Sequence, residues 1–170
     1  VSFEEALKSA MRQDPDVLMV GEMRDLETIR SAITMAETGH LVFGTLHTNS
    51  AALAVERMID VFHPEQQAQI RMQLSNSLSA IISQRLIPLT EGGRVLAYEI
   101  MVANDAVKNL IRDGKFHHIP NVIQTSAQDG MISLDKCLSL MVKDKVLPLD
   151  IARMYAQDKD NLRQLVESNL

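Results

Sequence analysis

The sequence predicts an α/β fold, with a partial β-sheet and flanking helices over residues 1–103, followed by an all-helical subdomain over 104–170. Two short apolar runs, at 17–20 and 41–46, have the length and composition of buried parallel strands. A segment with helical periodicity lies between them. No convincing strand pattern occurs after residue 103, so we expect two domains that meet at about this position.

The composition is that of a globular protein. Its 170 residues suffice for a sizeable core, and 46% are hydrophobic, which disfavours wholesale disorder. The net charge of −5 predicts no general attraction to nucleic acid or anionic lipid. A single cysteine, Cys137, suits a reducing compartment. No apolar run approaches the roughly 20 residues of a membrane span. We therefore expect a cytoplasmic protein, in which any membrane association has to come through partners.

Helix signals flank both apolar runs. The sequence Ser2-Phe3-Glu4-Glu5 has the form of a capping box and predicts a helix from about residue 3 to 13. Asp25 is placed to cap a second helix, and Gly39 is placed to end it. Cap-type residues at 48–50 precede a third helix. The inward face of this third helix should be formed by Val55, Met58, Ile59 and Phe62.

The remaining elements follow from turn and helix signals. Pro64 suits the first turn of a longer helix. The inward residues of that helix should be Ile70, Leu74, Leu78 and Ile81. Strands are predicted at 86–89 and 94–101, joined by a Glu-Gly-Gly turn of hairpin length. The helical subdomain should contain helices near 105–112, 133–144, 148–156 and 159–168.

Charged residues follow the first apolar run directly. Gly21 ends the run, and Glu22, Arg24 and Asp25 come next. The carboxyl ends of strands in an open α/β sheet are where ligands bind. A carboxylate there can orient a water or hold a metal, and a glycine lets the backbone approach a ligand closely. The alternative is an ordinary strand end, whose acidic residues are solvated or paired with Arg24.

Two motifs resemble those of one family. Residues 11–25, MRQDPDVLMVGEMRD, resemble the Walker B segment of the secretion-superfamily ATPases, the hexameric motors of type II secretion and type IV pili. Residues 40–48, HLVFGTLHT, resemble the His box of the same family, and the similarity continues through most of the chain. The resemblance implies the C-terminal part of a RecA-like P-loop NTPase domain, which uses ATP and Mg²⁺.

The resemblance also implies roles for individual residues. Glu22 matches the Walker B glutamate, which orients the attacking water and can accept a proton from it, and His47 matches the second His-box histidine, which senses or contacts the nucleotide. If their strands are neighbours, both side chains should reach one γ-phosphate. Gly21, Arg24 and Thr48 are further candidates for nucleotide contact.

The histidines have simpler interpretations as well. A lone histidine at a strand end, such as His47, is commonly a hydrogen-bonded structural residue. His40 matches the first His-box histidine, but it stands at the start of its strand, and we expect a structural role for it. His117 and His118 are adjacent and diverge on any regular backbone, so we predict no metal site.

A phosphate-binding loop is missing from these residues. Such a loop has the pattern G-x-x-x-x-G-K-[ST], whereas the only similar spacing, from Gly39 to Gly44, continues with Thr45 and Leu46 and falls on a predicted strand. The resemblance therefore predicts the C-terminal part of a longer motor, inactive without its phosphate loop. Absent neighbouring strands would leave a sheet edge that aggregates or recruits a partner.

The branch of the family is indicated by two features. The paired CxxC motifs of the assembly ATPases are absent, and residues 106–113, AVKNLIRD, resemble the AIRNLIRE helix of the retraction ATPases. A solvated amphipathic helix is the alternative interpretation. The resemblance implies instead that its polar residues contact a neighbouring subunit or the pilus machinery. These residues are Lys108, Asn109, Arg112 and Asp113.

The sequence thus predicts the catalytic portion of a homo-hexameric ATPase that powers type IV pilus retraction and acts on an inner-membrane platform protein, without nucleic acid or membrane insertion. The alternatives are an accessory retraction paralogue and a non-catalytic interaction domain that has kept the fold.

Overall fold

The structure is a computed structural model that describes residues 5–6, 9 and 12–168. The predicted capping box and most of the helix over 3–13 lie outside these residues. The chain forms two compact units, and each is described separately below. One comprises residues up to Thr48, together with Ala52–Ser79 and Ala103–Ile119, and the other comprises Asn49–Ala51, Ala80–Val102 and residues from Pro120 onward. The division into domains at residue 103 stays a prediction.

The first unit is built on a parallel pair of strands. Strand β1 (Val17–Val20) pairs with β2 (Leu41–Gly44), in a register that places Val17 opposite Leu41. Helix α1 (Leu26–Glu37) makes the crossover that a parallel pair requires. Its N-cap is Asp25, as predicted, and the side chain accepts a hydrogen bond of 2.9 Å from the Thr28 backbone N–H.

One face of this parallel pair is more open than the sequence predicts. Val20 is buried, and α1 packs against β2. Four other apolar side chains, which stand beside one another in the register, are about half exposed: Val17, Met19, Leu41 and Phe43. The expectation of two fully buried strands is therefore wrong, because continuous apolar composition does not distinguish one covered face from two.

Three further helices belong mainly to the first unit. Helix α2 (Ala51–Asp60) buries the face that was predicted for it, and α3 (Pro64–Ser77) begins at Pro64 as predicted and packs against α1 and α4 (Asp105–Asp113). The predicted extension of α3 to Ile81 is wrong. Leu78 already has extended backbone, and the β-branched residues after it favour a strand despite their helical spacing.

The second unit is built on an antiparallel hairpin. Strand β3 (Ala80–Pro88) pairs with β4 (Arg94–Val102) along its whole length, with Ala80 opposite Val102. The first strand begins six residues earlier than predicted. The turn places Gly92 and Gly93 at positive φ, a conformation that glycine adopts readily.

Four helices complete the fold: α5 (Ile119–Thr125), α6 (Leu134–Lys143), α7 (Leu149–Tyr155) and α8 (Lys159–Glu167). The core of the second unit joins the hairpin to α6, α7 and α8 through Ile87, Ala97, Leu134, Cys137, Leu138, Leu147, Ala152 and Leu162. The predicted change to an all-helical segment is confirmed. Helix α5 was missed, because its seven residues are too short for a periodic signal.

Candidate functional site

The candidate site lies at the carboxyl ends of β1 and β2. The strands end side by side, with Val20 opposite Gly44, and they remain joined beyond their ends. The Met23 backbone N–H donates to the Thr45 carbonyl at 3.0 Å, and the Thr45 hydroxyl donates to the Gly21 carbonyl. Glu22 thus stands between two anchored backbone positions.

Three side chains meet at this point, and we call them the Glu22 cluster: Glu22, Arg24 and His47. Nε2 of His47 lies 2.7 Å from Oε1 of Glu22, and Nε of Arg24 contacts the same oxygen. This oxygen is shielded from solvent, although neither nitrogen is aligned with it as in a regular hydrogen bond. The Glu22 side chain is 30% exposed, whereas those of Arg24 and His47 are 72% and 75% exposed. The cluster is therefore accessible to a ligand.

The charge of Glu22 is stabilised by its neighbours. The Arg24 guanidinium is the main cause of a lowered pKa for the Glu22 carboxyl; desolvation opposes this shift, and His47 adds to it. Glu22 in turn raises the pKa of Arg24. A carboxylate with a lowered pKa is a weak proton acceptor. The carboxylate is therefore ionised at neutral pH, and in this form it can accept a hydrogen bond from a water molecule.

The loop after β2 carries two of the predicted nucleotide-contacting residues. His47 stands in this loop, and its carbonyl accepts a 3.4 Å hydrogen bond from Nη1 of Arg57 on α2. Thr48, half-buried, follows it. On the other strand, a Cβ added at Gly21 would meet no atom within 4 Å, so space for a ligand is open there.

His40 lies at the opposite end of the parallel pair. Its Nδ1 is 3.0 Å from both the Met35 carbonyl and the Thr38 hydroxyl, at the C-terminus of α1. These contacts tie the end of the helix to the start of β2, and the expectation that His40 is structural is consistent with them.

The polar face of α4 is separate from this cluster. Val107 and Ile111 are fully buried, while Asn109, Arg112 and Asp113 are exposed and Lys108 is half-buried. Nη2 of Arg112 donates to Asn109 Oδ1 at 2.5 Å, and Asp113 pairs with Lys115 at 2.9 Å. The amphipathic pattern predicted for this helix is thus present.

The described residues offer little to a metal ion. Among them, no group of three or more His, Cys, Asp or Glu side chains could hold one. The Glu22 cluster supplies one carboxylate beside two nitrogen groups, whereas Mg²⁺ prefers oxygen ligands. These side chains alone therefore do not form a Mg²⁺ site. In the same part of the chain, every helix is too short or too polar to cross a membrane.

Sequence reasoning missed two kinds of residue. Thr45 fastens the two strand ends together, and the signal available was a hydroxyl residue directly after the second strand, in register with Gly21. Glu99 and Asp135 are both buried carboxylates, each only 3% exposed. No local pattern marked them.

Comparisons with known proteins agree on one family. The family model described as type II/IV secretion system protein matches residues 1–92. The type IV pilus retraction ATPase PilT of Pseudomonas aeruginosa is 52% identical over 161 residues, which cover 95% of this chain and 47% of that protein. The type IV pilus ATPase PilU of the same organism is 37% identical over 167 residues, covering 98% of this chain and 44% of PilU.

A solved structure is also similar. The crystal structure of the pilus retraction motor PilT with bound ADP matches with a TM-score of 0.86 and 45% identity, over 96% of this chain and 46% of that one. The chain thus spans slightly less than half the length of the relatives that it matches.

Proposed function

Because the chain belongs to the family of type II/IV secretion system proteins, we propose that it is the catalytic portion of a hexameric ATPase that powers type IV pilus retraction. One observation carries the proposal: Glu22 and His47 lie in the segments that follow two adjacent parallel strands, with Oε1 of Glu22 2.7 Å from Nε2 of His47. The name of its relative PilT supplies the retraction role, and the greater identity to PilT than to PilU favours this over an accessory paralogue.

Each member of the cluster has a proposed task in ATP hydrolysis. Glu22 orients the attacking water, and His47 contacts the γ-phosphate from the loop after the neighbouring strand. Arg24 lowers the pKa of Glu22 and brings positive charge to the site. Gly21 and Thr48 line the approach of the nucleotide.

The phosphates themselves need a further segment. The 170 residues contain no G-x-x-x-x-G-K-[ST] pattern, so a phosphate loop and the Mg²⁺ that accompanies ATP have to be held by residues outside them. We expect the 170 residues alone to hydrolyse ATP poorly. Turnover by these residues that equals turnover by the complete gene product would contradict this expectation.

The polar face of α4 is the proposed contact with partners. Its exposed residues, Asn109, Arg112 and Asp113, are available to a neighbouring subunit of the hexamer or to a pilus platform protein at the inner membrane. Val107 and Ile111, which hold the helix in place, leave that face free. Contact of this kind would bring a cytoplasmic motor to the membrane without inserting it.

The test is Glu22→Gln in the complete gene product. The amide keeps the size of the side chain but loses the charge that orients the water, so kcat for ATP should fall by about 10²–10⁴ while ATP binding is retained. Glu27→Gln is the matched control, because Glu27 is an exposed carboxylate five residues away on α1 and should leave kcat unchanged.

Two outcomes would contradict the proposal. Equal turnover by the wild type and Glu22→Gln would remove Glu22 from the chemistry. A wild type that binds ATP without hydrolysing it would indicate a non-catalytic interaction domain.

A further inference from the structure

The second unit contains a chain of hydrogen bonds built on two buried carboxylates. Glu99 on β4 accepts from the Ala51 backbone N–H at 2.8 Å through Oε1, and from the Gln157 side-chain amide at 3.1 Å through Oε2. Asp135 on α6 accepts from the backbone N–H groups of Gln157 and Asp158, at 2.8 and 3.0 Å. The hydrogen bonds therefore connect Ala51 through β4 to α6 and to the segment after α7, all within the second unit.

These bonds account for the burial of Glu99. A buried carboxylate is costly unless hydrogen bonds replace its lost hydration, and each Glu99 oxygen receives one. The donor at Oε1 is the first backbone N–H of α2, at the end of a helix where negative charge is favourable. Glu99 consequently fixes the backbone position of Ala51.

Ala51 is close to the candidate site along the chain. It follows His47 by four residues and Thr48 by three. The loop over 45–50 is already anchored at its other end, where Thr45 bonds to Met23 and Gly21. The loop that carries His47 and Thr48 is thus hydrogen-bonded at both of its ends, at Thr45 and at Ala51.

We propose that Glu99 is a positioning residue for His47 and Thr48, acting through Ala51, and that Gln157 and Asp135 hold Glu99 in place for this task. The proposal rests on the proposed function, because it gives the two loop residues their role at the nucleotide. It assigns a catalytic consequence to a carboxylate that touches no reacting atom.

The test compares Glu99→Ala, Glu99→Asp and Glu99→Gln in the complete gene product. Loss or withdrawal of the carboxylate in the first two variants should lower kcat by about tenfold to a hundredfold, since small misplacements of catalytic groups have effects of this size. Glu99→Gln keeps an oxygen that accepts from Ala51 and should restore most of the turnover. If Glu99→Ala does not fold, Glu99→Asp carries the comparison.

Amide hydrogen exchange separates positioning from general stabilisation. In Glu99→Ala and Glu99→Asp, exchange should accelerate at Ala51 and through 47–50, with the amides of α6 unchanged. Ser83→Ala is the matched control. Ser83 is buried opposite Glu99 in the register, and its hydroxyl makes no hydrogen bond, so its removal should change neither readout.

Different results would overturn this proposal and the proposed function. Wild-type turnover in Glu99→Ala and Glu99→Asp, or an equal rise in exchange throughout α6, would overturn the positioning role. Absence of ATP hydrolysis in the wild type would overturn the proposed function instead, and exchange at 47–51 would then decide by itself whether Glu99 holds the loop.

Discussion

The two pairs of strands place glutamates in opposite environments. Glu22 follows the end of β1, is 30% exposed, and faces Arg24 and His47, whose side chains are themselves open to solvent. Glu99 lies within β4, is 3% exposed, and receives hydrogen bonds from neutral amide groups. A carboxylate that stands beyond a strand end beside exposed side chains is accessible to a ligand, whereas one enclosed among N–H donors is occupied by hydrogen bonds to them.

The two strand pairs also differ in how far they are enclosed. The parallel pair has four residues per strand and an open apolar face, whereas the antiparallel pair has nine per strand and packs on α6. Regions with fewer buried contacts open more readily. The candidate site is therefore carried by the less enclosed pair, where a ligand has access to it.

The largest effect on stability is expected at Asp135. Asp135→Ala leaves the backbone N–H groups of Gln157 and Asp158 without their charged acceptor, so the free energy of unfolding should fall by about 3 kcal/mol. Denaturant unfolding measures the change. Asp144→Ala is the control, because Asp144 is exposed at the C-terminus of α6 and its removal should change stability by less than about 0.5 kcal/mol. Similar losses of unfolding free energy in both variants would contradict the expectation that the buried carboxylate contributes more to stability than the exposed one.

The candidate site was more predictable from the sequence than the chain of hydrogen bonds around Glu99 and Asp135. Short apolar runs locate β1 and β2, and a polar residue beyond each run, Glu22 or His47, is thereby placed at one edge of the sheet. The family resemblance, which the comparisons confirm, predicted that these two residues act at one nucleotide. The roles of both remain predictions.

This chain of hydrogen bonds could not be predicted, because it joins residues that are far apart in the sequence. Glu99 is 48 positions from Ala51 and 58 from Gln157, and a glutamate within an apolar strand gives no sign of its partners. The same limit applies to β3. Ile81 fits the helical spacing of α3 and also the strand pairing with Met101. Only the presence of that partner strand determines that Ile81 belongs to a strand rather than to a helix.

Asp25 tests whether an exposed carboxylate can still be structural. Its side chain accepts from the Thr28 backbone N–H, which is the main cause of its lowered pKa. Asp25→Ala should destabilise the protein by about 1 kcal/mol at pH 7, as loss of an N-cap does. Because the folded-state pKa is the lower one, this contribution is complete above the ordinary value of about 3.9 and decreases as the pH falls below it. Unfolding curves at several pH values measure the difference between the two proteins, and a difference that grows in acid would contradict this assignment.

The smallest change is expected from Arg24→Met, and it tests most directly why the pKa of Glu22 is lowered. The Arg24 guanidinium is the largest cause of the lowered Glu22 pKa, so the variant should raise that pKa toward the ordinary value of about 4.3. His47→Ala should raise it less. Titration of the Glu22 carboxyl carbon by NMR measures both shifts, with Arg94→Met, on the exposed start of β4, as the control. Since protonation of Glu22 then begins at a higher pH, the acid limb of the turnover profile should move to higher pH in Arg24→Met. A larger shift from His47→Ala would make His47, rather than Arg24, the main cause of the lowered Glu22 pKa.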